Sequence, residues 1–140
     1  ILFNTEAQFA LPETQGRWLE VANSDQVERV ITSVRETLPS GGTSLYNAFE
    51  FLNELDSKPD NIFIITDGLP TQGRDTPRKN TVSGPARLKH YRDAIDKLPA
   101  NVPVNVVLSP MEGDPMAASE FWKLAQNTGG SFMAPAEDWP

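Results

Sequence analysis

The chain has 140 residues, no cysteine and a formal net charge of -7, which is the size of one domain with a single core. Nucleic acid and anionic membrane surfaces are excluded as expected partners, because binding either requires a concentrated surface of Lys and Arg. A thiolate metal site and a disulfide framework are excluded by the lack of cysteine. We therefore expect one domain over 1–140, with neither a nucleic-acid partner nor direct membrane contact.

The first part of the chain predicts an antiparallel hairpin. Apolar and polar residues alternate over 1–11, a pattern typical of a half-buried strand. Turn residues follow at 12–16, and "RWLEVA" at 17–22 can return as an antiparallel edge strand. The hairpin is predicted to form one edge of the sheet.

Two amphipathic helices are predicted next. Apolar residues recur at helical intervals over 25–38, with Ser24 placed to cap the helix and Pro39 to end it. The second helix is predicted over 44–55, with Thr43 as its cap.

The second half of the chain alternates strands with helices. "NIFIIT" at 61–66 is apolar without alternation, which is typical of a central parallel strand covered on both faces. A polar loop over 67–84 precedes a third helix that begins with Pro85 in its first turn. "VPVNVVL" predicts another buried strand, a last helix opens at Asp114 and closes at Gly129, and "SFMA" predicts a final strand. This order predicts an α/β domain with a mainly parallel sheet and right-handed crossovers.

Two distinctive motifs fall at the carboxyl edge of the predicted sheet, where such folds bind ligands. "SGGTS" at 40–44 precedes the second helix, and "TDG" at 66–68 leaves the central strand. The carboxylate of Asp67 and the hydroxyl of Thr43 are oxygen donors of the kind that Mg²⁺ prefers. Taken separately, each residue has a simpler role, because Thr43 can cap its helix and Asp67 with Gly68 can form a turn.

Together, "GGTSLYNAF" and "IITDGLPT" resemble the second and third metal motifs of the von Willebrand factor A domain family. The resemblance covers essentially the whole chain and implies a Rossmann-like three-layer sandwich, with a mainly parallel central sheet, an antiparallel edge hairpin and flanking helices. It implies a metal-ion-dependent adhesion site in which Thr43 and Asp67 bind Mg²⁺, or Mn²⁺ or Ca²⁺, and a partner protein offers an acidic side chain. Gly41, Gly42 and Gly68 would let backbone and ligand approach closely. We therefore expect a binding module and no enzyme.

The chain departs from the family pattern in one respect. The Asp-x-Ser-x-Ser loop, which in that family forms the first part of the adhesion site, does not occur in the 140 residues. The resemblance places this loop and the family's first strand before Ile1, so we expect an N-terminally incomplete domain that another segment or chain completes. Two oxygen ligands, only one of them charged, should hold a divalent ion weakly, because coordination must compensate dehydration.

Two other functions stay open on the sequence. Backbone N–H groups of "SGGTS" could bind phosphate at a helix N-terminus, as in a phosphate- or nucleotide-handling Rossmann-like enzyme. However, no lysine stands in the register of a P-loop, and no Asp-x-Asp follows the central strand as in haloacid dehalogenase-type phosphatases. A metal-independent interaction module is the other alternative. In every case the loop over 69–83 borders the same edge, where we expect partner specificity.

The cellular location is expected from general resemblance only. The family includes extracellular adhesion proteins, bacterial surface and periplasmic proteins, and intracellular assembly factors, so the fold does not set the compartment. "MEGDPMAASEFW" and the tail after it resemble bacterial envelope proteins, which favours an extracytoplasmic location.

Overall fold

The computed structural model describes residues 1–76, 81–109 and 111–135. These ranges form a mixed α/β structure with a parallel sheet and a separate antiparallel hairpin, so the general α/β prediction is confirmed. Within them, no helix has the length and apolar character needed to cross a membrane. In chain order the elements are β1 (Leu2–Phe3), β2 (Ala7–Gln8), a 3-10 turn (Pro12–Thr14), α1 (Ser24–Glu36), α2 (Leu45–Asn53), β3 (Ile62–Thr66), α3 (Gly84–Ile95), β4 (Val104–Leu108), α4 (Ala117–Thr128) and β5 (Phe132–Met133).

The antiparallel hairpin lies elsewhere than predicted. β1 pairs with β2, so the segment 1–11, predicted as one strand, contains both strands of the hairpin. The chain reverses at Asn4, whose side-chain Oδ1 accepts a hydrogen bond from the Glu6 N–H at 3.0 Å. A side chain that bonds the backbone two residues on forms a turn and interrupts an extended strand. The prediction of a return strand over 17–22 is wrong, because these residues form turns and irregular structure.

Helix α1 has the predicted periodicity, but its apolar stripe is only partly covered, since Val27 and Val30 are half-buried. Asn23 caps the helix in place of Ser24, since its side chain accepts a hydrogen bond from the Gln26 N–H at 3.3 Å. No residue of α1 is buried, and Ile31 and Val34 are 40% and 49% exposed. Helical spacing therefore predicts which face of α1 is apolar, but it does not predict how far that face is buried.

Strand β4 is the centre of the parallel sheet, and β3 lies at its edge. The strand order is β3-β4-β5, so the prediction that "NIFIIT" is central is wrong for the described residues. In that part of the chain, no strand pairs with the second edge of β3. Ile62 and Ile64 are buried, whereas Phe63 and Ile65 are 72% and 74% exposed. Only one of the two apolar faces of β3 is therefore covered.

The core contains buried residues of α2, α3 and α4 together with those of β3 and β4. Phe121 of α4 is fully buried and meets Tyr91 of α3 edge to face, with ring centroids 5.3 Å apart. The Tyr91 hydroxyl donates to the Glu120 carbonyl at 2.9 Å. Burial, together with the Glu120 carboxylate, raises the pKa of Tyr91, so the hydroxyl stays protonated and keeps this hydrogen bond.

The passage from α4 to β5 depends on a close backbone contact. Gly129 ends α4 with a φ of 76°, as the sequence predicts. A Cβ on Gly130 would overlap the carbonyl oxygen of Val104. This contact lets the chain reach β4, where the Val106 N–H donates to the Ser131 carbonyl at 2.8 Å.

Candidate functional site

The loop before α2 and the loop after β3 are hydrogen-bonded to each other. The N–H of Thr43 donates to Thr71 Oγ1 at 2.8 Å. The carbonyl of Thr43 accepts hydrogen bonds from the N–H groups of Thr71 and Gln72 at 3.0 and 3.1 Å. The loops that carry Thr43 and Asp67 are thus in direct contact at the carboxyl end of β3.

Ser44, and not Thr43, caps α2. Ser44 Oγ accepts a hydrogen bond from the Asn47 N–H at 3.1 Å and donates to the Gly73 carbonyl at 2.7 Å. Ser44 is fully buried, so the prediction that Thr43 is the cap is wrong. In the described part of the chain the Thr43 hydroxyl makes no protein hydrogen bond, which leaves its oxygen available as a donor to a ligand.

Replacing Ser44 with alanine should destabilise the chain by about 1–3 kcal/mol, because both a helix cap and a buried acceptor lose their partner. Thr43→Val is the matched control, since it removes a hydroxyl of similar size from the adjacent position. It should change the free energy of unfolding by less than about 0.5 kcal/mol. Urea unfolding of both variants checks this, and equal losses would contradict the assignment of the cap.

Asp67 combines a fixed backbone with an exposed carboxylate. Its carbonyl accepts a hydrogen bond from the Met111 N–H at 3.1 Å, and the preceding Thr66 carbonyl accepts one from the Ser109 N–H at 2.9 Å. The side chain is exposed, and no protein hydrogen bond reaches its carboxylate among the described residues. A positioned, solvent-facing carboxylate is therefore present at this edge.

Two residues at this edge, Arg87 and Asp114, were not among the predicted site residues. Asp114 Oδ2 accepts a hydrogen bond from the Leu69 N–H at 2.7 Å, and Arg87 Nε donates to the Leu69 carbonyl at 3.1 Å. The two side chains form an ion pair at 2.9 Å. A signal for Arg87 does exist in the sequence, because it lies four residues before the buried Tyr91 and so shares its face of α3. On the sequence, Asp114 is expected only to open the last helix.

The three glycines expected near a ligand pack against other residues of the chain. Gly41 has a φ of 73°, a left-handed conformation that favours glycine. A Cβ on Gly42 would lie 2.6 Å from Gln72 Oε1, and one on Gly68 would lie 2.7 Å from Asp114 Oδ2. These contacts account for glycine at both positions, and proximity to a ligand stays a prediction.

The loop over 69–83 is buried at its start. Leu69 and Gln72 are each 1% exposed, so this part belongs to the core and not to a partner surface. Exposure begins at Arg74, and residues 77–80 lie outside the described residues. Among the described residues, partner specificity can therefore be sought only from Arg74 onward.

An apolar cavity of about 480 Å³ lies beside β3, between this strand, α2 and the hairpin. Phe3, Phe9, Phe49 and Phe63 are among the side chains that line it. Neither Thr43 nor Asp67 contributes to the lining. The cavity is thus separate from the candidate site.

The donors at the edge fit a hard cation in kind. Carboxylate and hydroxyl oxygens suit Mg²⁺, which demands octahedral coordination and keeps several waters. Across the described ranges, no cluster of three or more His, Asp or Glu side chains is placed to hold an ion. Water or groups from a partner would therefore supply the remaining ligands.

Comparisons with known proteins leave the family of this chain open. No protein-family model matches it, and neither does a curated protein or a solved structure. Membership of the von Willebrand factor A family therefore stays a prediction based on the two motifs.

Proposed function

We propose that this chain is a divalent-metal-dependent protein-binding module of the von Willebrand factor A type. The observation that carries the proposal is the direct hydrogen bonding between the Thr43 backbone and the loop that follows Asp67. The hydroxyl of Thr43 and the carboxylate of Asp67 take no protein hydrogen bond within the described residues, so both oxygens are available to Mg²⁺. Water and an acidic side chain of the partner protein complete the coordination.

Charge explains why such a module would use an ion. The chain carries a net charge of -7 and repels an acidic partner at long range. A bound Mg²⁺ would supply a local positive charge that attracts a partner carboxylate. Asp67 neutralises only part of that charge and Thr43 none of it, so positive charge is left for the partner.

The phosphate-handling alternative has less support. The N–H groups of Gly42, Thr43 and Ser44 donate to protein acceptors at 3.4, 2.8 and 2.7 Å. A phosphate-binding loop needs consecutive N–H groups directed at the anion. These three N–H groups are already hydrogen-bonded within the protein, which favours the metal-dependent proposal over phosphate binding.

Millimolar Mg²⁺ or Mn²⁺ should raise the melting temperature relative to EDTA, because an ion that binds only the folded state stabilises it. At ten times the dissociation constant, linkage predicts about 1.4 kcal/mol, or about 4 °C for a chain of this size. Asp67→Asn should abolish the shift, since it removes the charged ligand. Differential scanning calorimetry measures both.

Asp60→Asn is the matched control for this experiment. Asp60 is exposed and lies just before β3, at the opposite end of the strand from Asp67. It removes the same charge without touching the candidate site, so its ion-dependent shift should equal that of the unchanged chain. A shift that survives in Asp67→Asn would refute the site, and no shift in the unchanged chain would favour the metal-independent module.

A further inference from the structure

Leu69 is held by two charged side chains that come from distant parts of the chain. Asp114 Oδ2 accepts from its N–H at 2.7 Å, and Arg87 Nε donates to its carbonyl at 3.1 Å. The ion pair between them closes the arrangement at 2.9 Å. Both backbone polar groups of Leu69 are therefore bound by one charge pair.

Burial of the pair argues for a role beyond stability. The Arg87 and Asp114 side chains are only 13% and 4% exposed. Removing two charges from water is costly, and apolar residues of similar volume often stabilise a fold as well as a buried pair does. Unlike apolar residues, an ion pair also fixes the orientation of the groups that it binds, because its charge-assisted hydrogen bonds are directional. Glycine at 68 permits the approach, since a Cβ there would lie 2.7 Å from Asp114 Oδ2.

Leu69 lies between the two halves of the candidate site. Asp67 precedes it by two residues, and Thr71 follows it by two residues and is bound to the Thr43 backbone. A shift of Leu69 would therefore change the position of the Asp67 carboxylate relative to the Thr43 hydroxyl.

We infer that Asp114 and Arg87 are positioning residues of this edge, whose ion pair acts through Leu69 to hold Asp67 and Thr43 where one ion contacts both. The inference rests on the proposed function and concerns the same site. Neither residue is proposed as a ligand, because Arg87 is itself a cation and the Asp114 side chain is only 4% exposed. Loss of such an outer partner typically weakens metal affinity about 10- to 100-fold.

The test uses Asp114→Asn, which keeps an oxygen acceptor for Leu69 but removes the charge that pairs with Arg87. Mn²⁺ is titrated into the isotope-labelled chain, and paramagnetic broadening of the Gly42 and Gly68 amide signals is followed by NMR. The initial slope is the increase in the width of these signals per amount of Mn²⁺ added. It reports ion binding at this edge in folded molecules only. We expect the slope to fall about tenfold. Arg87→Lys, which keeps the charge but loses the planar guanidinium, should lower it as well.

Asp93→Asn is the matched control, because it removes a carboxylate from the exposed Lys89–Asp93 ion pair on α3, the helix that contains Arg87. Its slope should equal that of the unchanged chain. An unchanged slope in folded Asp114→Asn, or in Arg87→Lys if the first variant does not fold, would overturn the inference and leave the proposed function intact. If the unchanged chain shows no broadening that depends on Asp67, the proposed function fails and the inference fails with it.

Discussion

Gly130→Ala is expected to destabilise the chain by about 3 kcal/mol, at the upper end of the cost of overpacking. The added Cβ would overlap both the carbonyl oxygen and the carbonyl carbon of Val104. Both are backbone atoms of the central strand, which cannot move aside as a flexible side chain can. Relief of the contact requires the α4–β5 connection to shift, and the sheet hydrogen bond between Val106 and Ser131 would be lost. Urea unfolding should show a lower midpoint with an unchanged slope.

Gly84→Ala is the control for this substitution. Among the described residues, a Cβ at this position, the first residue of α3, would meet no heavy atom within 4 Å apart from its chain neighbours and the backbone of its own helix. Alanine restricts the unfolded chain there without a steric cost, so stability should rise by about 0.5 kcal/mol. A Gly130→Ala variant as stable as Gly84→Ala would mean that the contact between β4 and the chain after α4 is looser than the structure shows.

Phe121→Ala is expected to cost about 4 kcal/mol, because a fully buried aromatic side chain is replaced by a methyl group. The loss includes the edge-to-face contact with Tyr91 at 5.3 Å. The cavity would open between α3, which contains Arg87, and α4, which follows Asp114. Thermal unfolding followed by circular dichroism measures the loss.

Trp122→Ala provides the comparison at the adjacent position of the same helix. Trp122 is 49% exposed, so its truncation leaves little cavity and should cost less than about 1 kcal/mol. Similar losses in the two variants would show that α4 packs with a different face toward the core.

The helices could largely be predicted from the sequence, because apolar spacing determines which face can be buried. Leu45 and Phe49 of α2 and Phe121 of α4 are buried as their spacing predicts. Helix limits were less accurate where a residue has another partner. The last helix begins at Ala117 and not at Asp114, and no side chain caps it; the Asp114 carboxylate binds Leu69 and Arg87 instead.

Features that depend on distant contacts or on local dihedral angles could not be predicted. Thr43 and Ser44 are equally good capping residue types, and only the backbone conformation assigns the cap to Ser44. The rule that strand ends share an edge correctly placed the Thr43 and Asp67 loops together. It could not reveal that the connection runs through Thr71, because no local pattern encodes a hydrogen bond between two loops.

Strand β3 also has the composition of an aggregation-prone segment. Ile62–Thr66 contains no charge and no proline, and Phe63 and Ile65 project from its uncovered face. Asp60 and Asp67 flank this segment, where negative charges act as gatekeepers against stacking of strands from different molecules. Asp67 would thus protect the strand as well as offer an oxygen to the proposed ion. In the proposed site, an ion that neutralises Asp67 would leave Asp60 as the nearest flanking charge, so ion binding and protection against strand stacking would depend on the same carboxylate.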